Sequence, residues 1–333
     1  MDDKKVRITY PTKNTLLFVL NSIYDKDVSQ TLTKTKLIKK MSELYSDEIN
    51  VLKLTEILSV DSYKKLEVIY NDYLNGIDPS ISFMNNETND LIDTCIFYLE
   101  ETKYADNSID IKYVYNPIVF KNLGVLFSDK GKEQFKKEEL FENVIIGLNN
   151  IYGVIKMDYF VSLVNNYLNI NYDEDALLDK LLIKLKFNQR VNNFTINWKN
   201  IGETDHFFTF FEYDDEIGRL CESQKQINFQ YNIYDLEEVI KRSYKKYDNY
   251  TYEVISKLKN SNHELNDEYL DEFVLNSFKG SEKAVKELDT ILSGVKDEKD
   301  DLLEMLALWH NNIGLYPLCG NSIDSMQEES FVS

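Results

Sequence analysis

The sequence predicts a mainly α, multi-domain protein with a winged-helix-like middle domain, built around a small β-hairpin, and a C-terminal helical bundle. Three observations carry this expectation. Apolar residues recur at helical spacing through most of the chain, as in Leu37, Ile38, Met41, Leu44 and Tyr45. Only 11 glycines and 4 prolines punctuate 333 residues, too few for the frequent turns of a sandwich or barrel. That length also exceeds the size at which one hydrophobic core keeps growing. The expected divisions are a helical domain over 1–130, the winged-helix-like domain over 131–213, an acidic helical bundle over 214–320 and a flexible tail over 321–333.

In the first domain, 14–23, 33–45 and 61–74 read as helices, with Thr33 and Asp61 as N-caps. Residues 76–79 break the pattern, and 89–102 resumes it with Leu91, Ile92, Cys95, Ile96 and Leu99 on one stripe. The alternation over 109–114 predicts a strand, ended by Asn116 and Pro117. The middle domain opens with a helix over 135–149, a β-prone piece over 152–157 and a helix over 158–168 capped by Asp158. A third helix follows, capped by Asp173, with Leu177, Leu178, Leu181, Leu182 and Leu185 as its buried stripe. Two alternating runs, 193–198 and 206–213, are joined by a loop over 199–205. Helix, short strand, helix, helix and hairpin is the order of a winged helix.

From 214 to 312 the chain reads as helices broken near 228, 249, 261, 280 and 294. Three stripes stand out: Leu265, Tyr269, Leu270, Phe273, Val274 and Phe278; Val285, Leu288, Ile291 and Leu292; and Leu302, Leu303, Leu306 and Trp309. Short connections make such helices antiparallel neighbours in a bundle. The formal charge of −19 concentrates here, because 261–333 holds 16 acidic and 5 basic residues, a net −11. That field opposes phosphate backbones and anionic lipid and favours basic partners.

The first apolar stretch, 16–20, is far too short for a leader or a membrane span, and nothing later is longer. The expected location is cytoplasmic, without membrane contact. Cys95, Cys221 and Cys319 form no CxxC, which predicts reduced thiols rather than a disulfide framework or zinc site.

Catalytic chemistry is sparse. His206, His263 and His310 fall in three separate segments, none in a metal-binding motif; at a helix end, His310 suits the dipole as a cation. The nearest approach to a phosphate loop, from Gly124 to Glu133, places six residues between its glycines and lacks the hydroxyl after Lys132. The carboxylate clusters Asp173, Glu174 and Asp175, and Asp297, Asp300, Asp301 and Glu304, fit solvated helix N-termini and not an EF-hand. No cofactor, metal or catalytic residue is expected, and the chain does not read as an enzyme.

Nucleic-acid contact needs weighing, because a winged helix often lays its third helix in the major groove. Here that helix leads with Asp173, Glu174 and Asp175, and its cations Lys180, Lys184, Lys186 and Arg190 come later. Lys34, Lys36, Lys39 and Lys40 form a second basic spot. These eight are the candidate contacts for a nucleic acid or another partner.

Three segments resemble a loose group of helical proteins from low-GC Gram-positive bacteria and their mobile elements. Residues 33–41, TKTKLIKKM, are similar to the Rho-N or SAP-like start of that group. Residues 150–155, NIYGVI, followed by Tyr159, Leu163 and Tyr167, resemble its central helix pair. Residues 310–317, HNNIGLYP, are similar to a tail that some members place before a cysteine-rich SEC-C knuckle. Tyr316 stands where that tail has tryptophan, the knuckle's metal ligands are missing, and so is the glycine usual before the second SAP helix. The resemblance implies an order of elements and an origin, and no reaction.

The expected function is a non-catalytic intracellular protein–protein interaction or regulatory protein of such a bacterium or its mobile element. The alternatives are a nucleic-acid-binding regulator using the winged helix and the basic N-terminal helix, and an acidic phage-type inhibitor that mimics nucleic acid. The expected partner is another protein; nucleic acid is opposed by the charge. Oligomeric state leaves no signal.

Overall fold

The computed structural model describes residues 5–104, 106–187, 199–200, 206–209, 215–226, 230–295 and 299–324. It is mainly α, with two small antiparallel sheets. The chain separates into two compact units, Met1–Glu139 with Ala176–Asn193, and Leu140–Asp175 with Phe194–Ser333. Two helices, α9 and α11 below, therefore contribute residues to both.

The first unit begins with β1 (Lys5–Tyr10) and α1 (Lys13–Phe18), whose Thr12 hydroxyl accepts from the Thr15 amide and satisfies one of the free N–H groups of the first turn. A π-helical turn (Val19–Ile23) extends α1. There follow α2 (Lys34–Leu44), α3 (Glu48–Leu52), α4 (Leu54–Ile57), α5 (Val60–Leu74), α6 (Pro79–Met84) and α7 (Asn89–Asp93). Next come β2 (Phe97–Lys103), β3 (Ile109–Tyr115), α8 (Pro117–Asn122) and α9 (Asp129–Tyr152). The strand order is β1-β2-β3, with Leu99 opposite both Tyr10 and Tyr113.

Two expectations for this unit are corrected. The helix expected over 89–102 stops at Asp93, because Cys95 adopts a left-handed φ of 63° and the Thr94 hydroxyl bonds back to the Asp90 carbonyl. The rest of that segment is the central strand β2. The cap of α5 is Ser59, whose Oγ accepts from the Ser62 amide; Asp61 instead pairs with Lys65 at 2.7 Å.

The second unit contains β4 (Ile155–Lys156), α10 (Met157–Leu168), the first residues of α11 (Glu174–Phe187), β5 (Lys199–Asn200) and β6 (His206–Phe208). The strand order is β4-β6-β5. β5 occupies part of the stretch expected as a loop, and the run expected over 193–198 lies outside the described residues. Asp158 falls inside α10 and is not its cap; it bonds the adjacent Tyr159 amide. In the stripe expected on α11, Leu177 and Leu181 are buried but Leu182 is 54% exposed, and Leu185 lies outside the described side chains. Lys184, at 1% exposure, takes an inward place instead.

The helices α12 (Asp215–Gln226), α13 (Leu236–Tyr244), α14 (Asn249–Ser261), α15 (Asp267–Phe278), α16 (Glu282–Ser293) and α17 (Lys299–Asn312) complete the fold with a 3-10 turn, Tyr316–Leu318. Among the described residues no helix is long and apolar enough to cross a membrane. Of the tail expected to be flexible, 325–333 lies outside the described residues, whereas Asn321 is tied down by its Nδ2 donating to the Gln230 carbonyl at 2.9 Å.

The segments 150–155 and 310–317 meet in this unit. Tyr316 packs on Gly153, and its hydroxyl donates to the Asn150 carbonyl. Gln224 on α12 donates to the carbonyls of both Val154 and Tyr316, at 2.9 and 2.7 Å. Tyrosine hydroxyls extend this tie: Tyr152 donates to Asn232, Tyr167 to Tyr234 and Tyr234 to Gly320, each at a carbonyl. The carbonyls of Val154 and Tyr316 are bonded in buried surroundings, where each needs such a donor.

All three cysteines are buried and none is in a disulfide. Burial pushes the Cys95 thiol up to about 12 and Cys319 up to about 11, which leaves little thiolate at neutral pH. Labelling of the native protein with a thiol reagent at pH 7.5 is therefore expected to be slow, with three equivalents reacting only after denaturant is added. Rapid native labelling of Cys95 or Cys319, read by peptide mass, contradicts their burial.

Candidate interaction groove

An apolar opening lies in the second unit, among α15, α16 and α17. Local sequence sets its walls. Gly280 closes α15 at a φ of 62°, and the Ser281 amide returns to the Asn276 carbonyl at 2.9 Å, a C-terminal turn that reverses the chain into α16. The Ser281 hydroxyl then caps α16. At the far end the Asn262 side chain donates to the Ile291 carbonyl at 3.1 Å. α17 is fixed by Trp309, whose indole N–H donates to the Thr251 hydroxyl at 3.0 Å and whose ring sits 5.9 Å from that of Phe273.

The groove holds about 560 Å³. Phe273, Leu306 and Trp309 form its floor, and Ala284, Val285, Leu288, Leu303 and Ala307 its sides. Val285 is 63% exposed and Leu303 39% exposed. The sequence placed both in apolar stripes of the bundle helices. Their neighbours in the pattern, Ile291, Leu292, Leu302 and Leu306, do reach the core. The apolar arc of each helix is simply wider than the surface its neighbour covers. His310 also lines the groove, and burial lowers its pKa, favouring the neutral ring over the cation expected at this helix end.

Six of the eight basic candidates have described side chains, and these are engaged in different ways. On α2, Lys36, Lys39 and Lys40 are exposed, with Lys39 3.9 Å from Glu43. Lys34 turns back to donate to the Ile8 and Thr9 carbonyls of β1 at 3.2 and 2.7 Å, where the β1-β2 register shifts. Burial holds its pKa down. Lys180 and Lys184 reach Glu138 of α9 at 2.6 and 3.2 Å. Both lysines belong to an ion cluster around Glu138. The Lys186 side chain and Arg190 lie outside the described residues.

That cluster contains a second carboxylate, Glu56, raised by burial and by the charge of Glu138 and lowered by Lys180 and Lys184. Two ammonium groups facing two carboxylates is the arrangement of a structural network. Its pairing across helices left no mark in local sequence spacing. Among the described residues no group of three or more His, Cys, Asp or Glu side chains is placed to hold a metal ion. No protein-family model, curated protein or solved structure matches the chain.

Proposed function

We propose that the chain is a non-catalytic intracellular protein–protein interaction or regulatory protein that docks its partner in the groove of α15, α16 and α17. The observation that carries this reading is the pair Val285 and Leu303, held at the mouth of an apolar groove whose floor is already packed. Exposed apolar side chains grouped around a concavity favour association, since covering them removes apolar surface from water. Three buried cysteines outside any disulfide suit a reducing compartment.

The Val285→Asp, Leu303→Asp variant keeps the floor intact and is expected to fold. Crosslinking in a low-GC Gram-positive lysate, compared between the wild type and this variant, is expected to lose specific partners in the variant and to be insensitive to nuclease. An unchanged partner set overturns the groove reading, and nuclease sensitivity favours nucleic acid.

A second reading rests on one observation. The chain order α9, β4, α10, α11, β5, β6 is the order of elements expected of a winged helix, although all of α11 after Asp175 belongs to the first unit. Against DNA contact, α11 begins with Glu174 and Asp175, and its Lys180 and Lys184 are engaged with Glu138. This arrangement therefore supports a scaffold more than a reader of bases.

A further inference from the structure

Charge around the groove identifies the chemistry of what it takes. Side chains three or four residues apart share a helix face. On α16, Glu282 and Asp289 lie three residues before and four residues after Val285. On α17, Asp300 precedes Leu303 by three residues and Glu304 precedes Ala307 by three. All four carboxylates are exposed. Lys299, four residues before Leu303, and Lys286, four residues after Glu282 and three before Asp289, are cations on the same arcs, which leaves a net −2 among these six rim residues. Lys283 and Lys286 line an adjoining depression with Arg219 and Glu216 of α12, which shares Gly280, Ser281 and Glu282 with the groove. An apolar floor thus lies between two carboxylate edges.

We infer that the groove receives a basic amphipathic helix of a partner protein, its apolar face on Phe273, Val285, Leu303 and Trp309 and its lysines or arginines against Glu282, Asp289, Asp300 and Glu304. This inference rests on the groove reading above. The dimensions suit it: α16 has 12 residues and so runs about 18 Å, room for anchors at i, i+4 and i+7 of a helix laid alongside. The open mouth suits a continuous chain better than a small apolar molecule, which sites of this kind enclose. Carboxylate edges also select against acidic helices, because like charges brought together in a partly desolvated rim are repelled.

The test uses the full chain and two fluorescent synthetic peptides of about 18 residues with the same leucine face, one carrying lysine on its polar face and the other glutamate. Fluorescence anisotropy is measured at low and physiological salt. The lysine peptide is expected to bind at least about tenfold more tightly than the glutamate peptide, and to weaken as salt rises. The Val285→Asp, Leu303→Asp variant is expected to lose about tenfold or more of that affinity, although it adds two negative charges that strengthen any non-specific attraction.

A milder variant, Asp289→Asn with Glu304→Gln, leaves the apolar face intact and is expected to reduce the salt dependence. Equal binding of both peptides, lost together in the Val285→Asp, Leu303→Asp variant, overturns the charge inference while leaving the groove reading standing. Equal binding of the lysine peptide to wild type and that variant overturns both, as does the absence of any binding.

Discussion

Replacing Gly153 by alanine is expected to destabilise the second unit by about 2–5 kcal/mol, the sum of two separate penalties. Gly153 has a φ of 63°, and the left-handed conformation costs a residue with a Cβ about 1–2 kcal/mol. The added methyl would also stand 2.4 Å from Cδ2 and 2.5 Å from Cε2 of Tyr316. That ring cannot retreat easily. It is 1% exposed, packs 5.7 Å from Phe278, and belongs to a turn whose carbonyl is held by Gln224. Overpacking of this kind costs about 1–3 kcal/mol. Calorimetry should show the transition of this unit lowered by roughly 5–15 °C at about 2–4 °C per kcal/mol. Gly76→Ala is the internal control, because Gly76 shares the positive φ, at 82°, but has nothing within 4 Å of a new Cβ. It should show the backbone penalty alone. Equal effects at the two sites would mean that Tyr316 is not seated on Gly153.

The role of Gly153 illustrates what local sequence reveals and what it hides. The stripes of α15, α16 and α17 were legible because one face of each helix meets a continuous core: Phe273, Ile291, Leu302 and Leu306 fall where a 3.6-residue period puts them. The same period misassigned 89–102, since Leu91, Ile92, Cys95 and Ile96 are all buried whichever structure follows. The strand is chosen by partners far away, with the Thr9 hydroxyl bonded to the Leu99 carbonyl across 90 positions. The candidate site shows the same division. An apolar pattern identified Val285 and Leu303 as facing other helices, but only the packed neighbours determine that they stop at a groove mouth. Likewise Lys184 looks like any helix cation in sequence. Its burial depends on Glu138, 46 positions earlier on another helix.

That buried pair supports the other large expected effect, a loss of about 3–5 kcal/mol on Glu138→Ala. Glu138 is 7% exposed and accepts from Lys180 at 2.6 Å, with the Lys184 ammonium 3.2 Å from its other oxygen. Lys180 is only half-buried and can turn to water when the carboxylate is removed. Lys184 cannot, so its charge is left without its nearest counter-charge in a poorly solvated place. Glu56, whose carboxylate attracts both lysines, keeps the loss toward the lower end of that range. If the cost is the stranded charge and not lost packing, removing the charge as well should recover most of it. Glu138→Leu combined with Lys184→Met is therefore expected to unfold within about 1–2 kcal/mol of the wild type, because apolar replacements of similar volume are often neutral for buried ion pairs. Denaturant melts of the single and double variants decide the matter: a double variant as unstable as Glu138→Ala shows that shape, and not charge, holds α11 to the first unit.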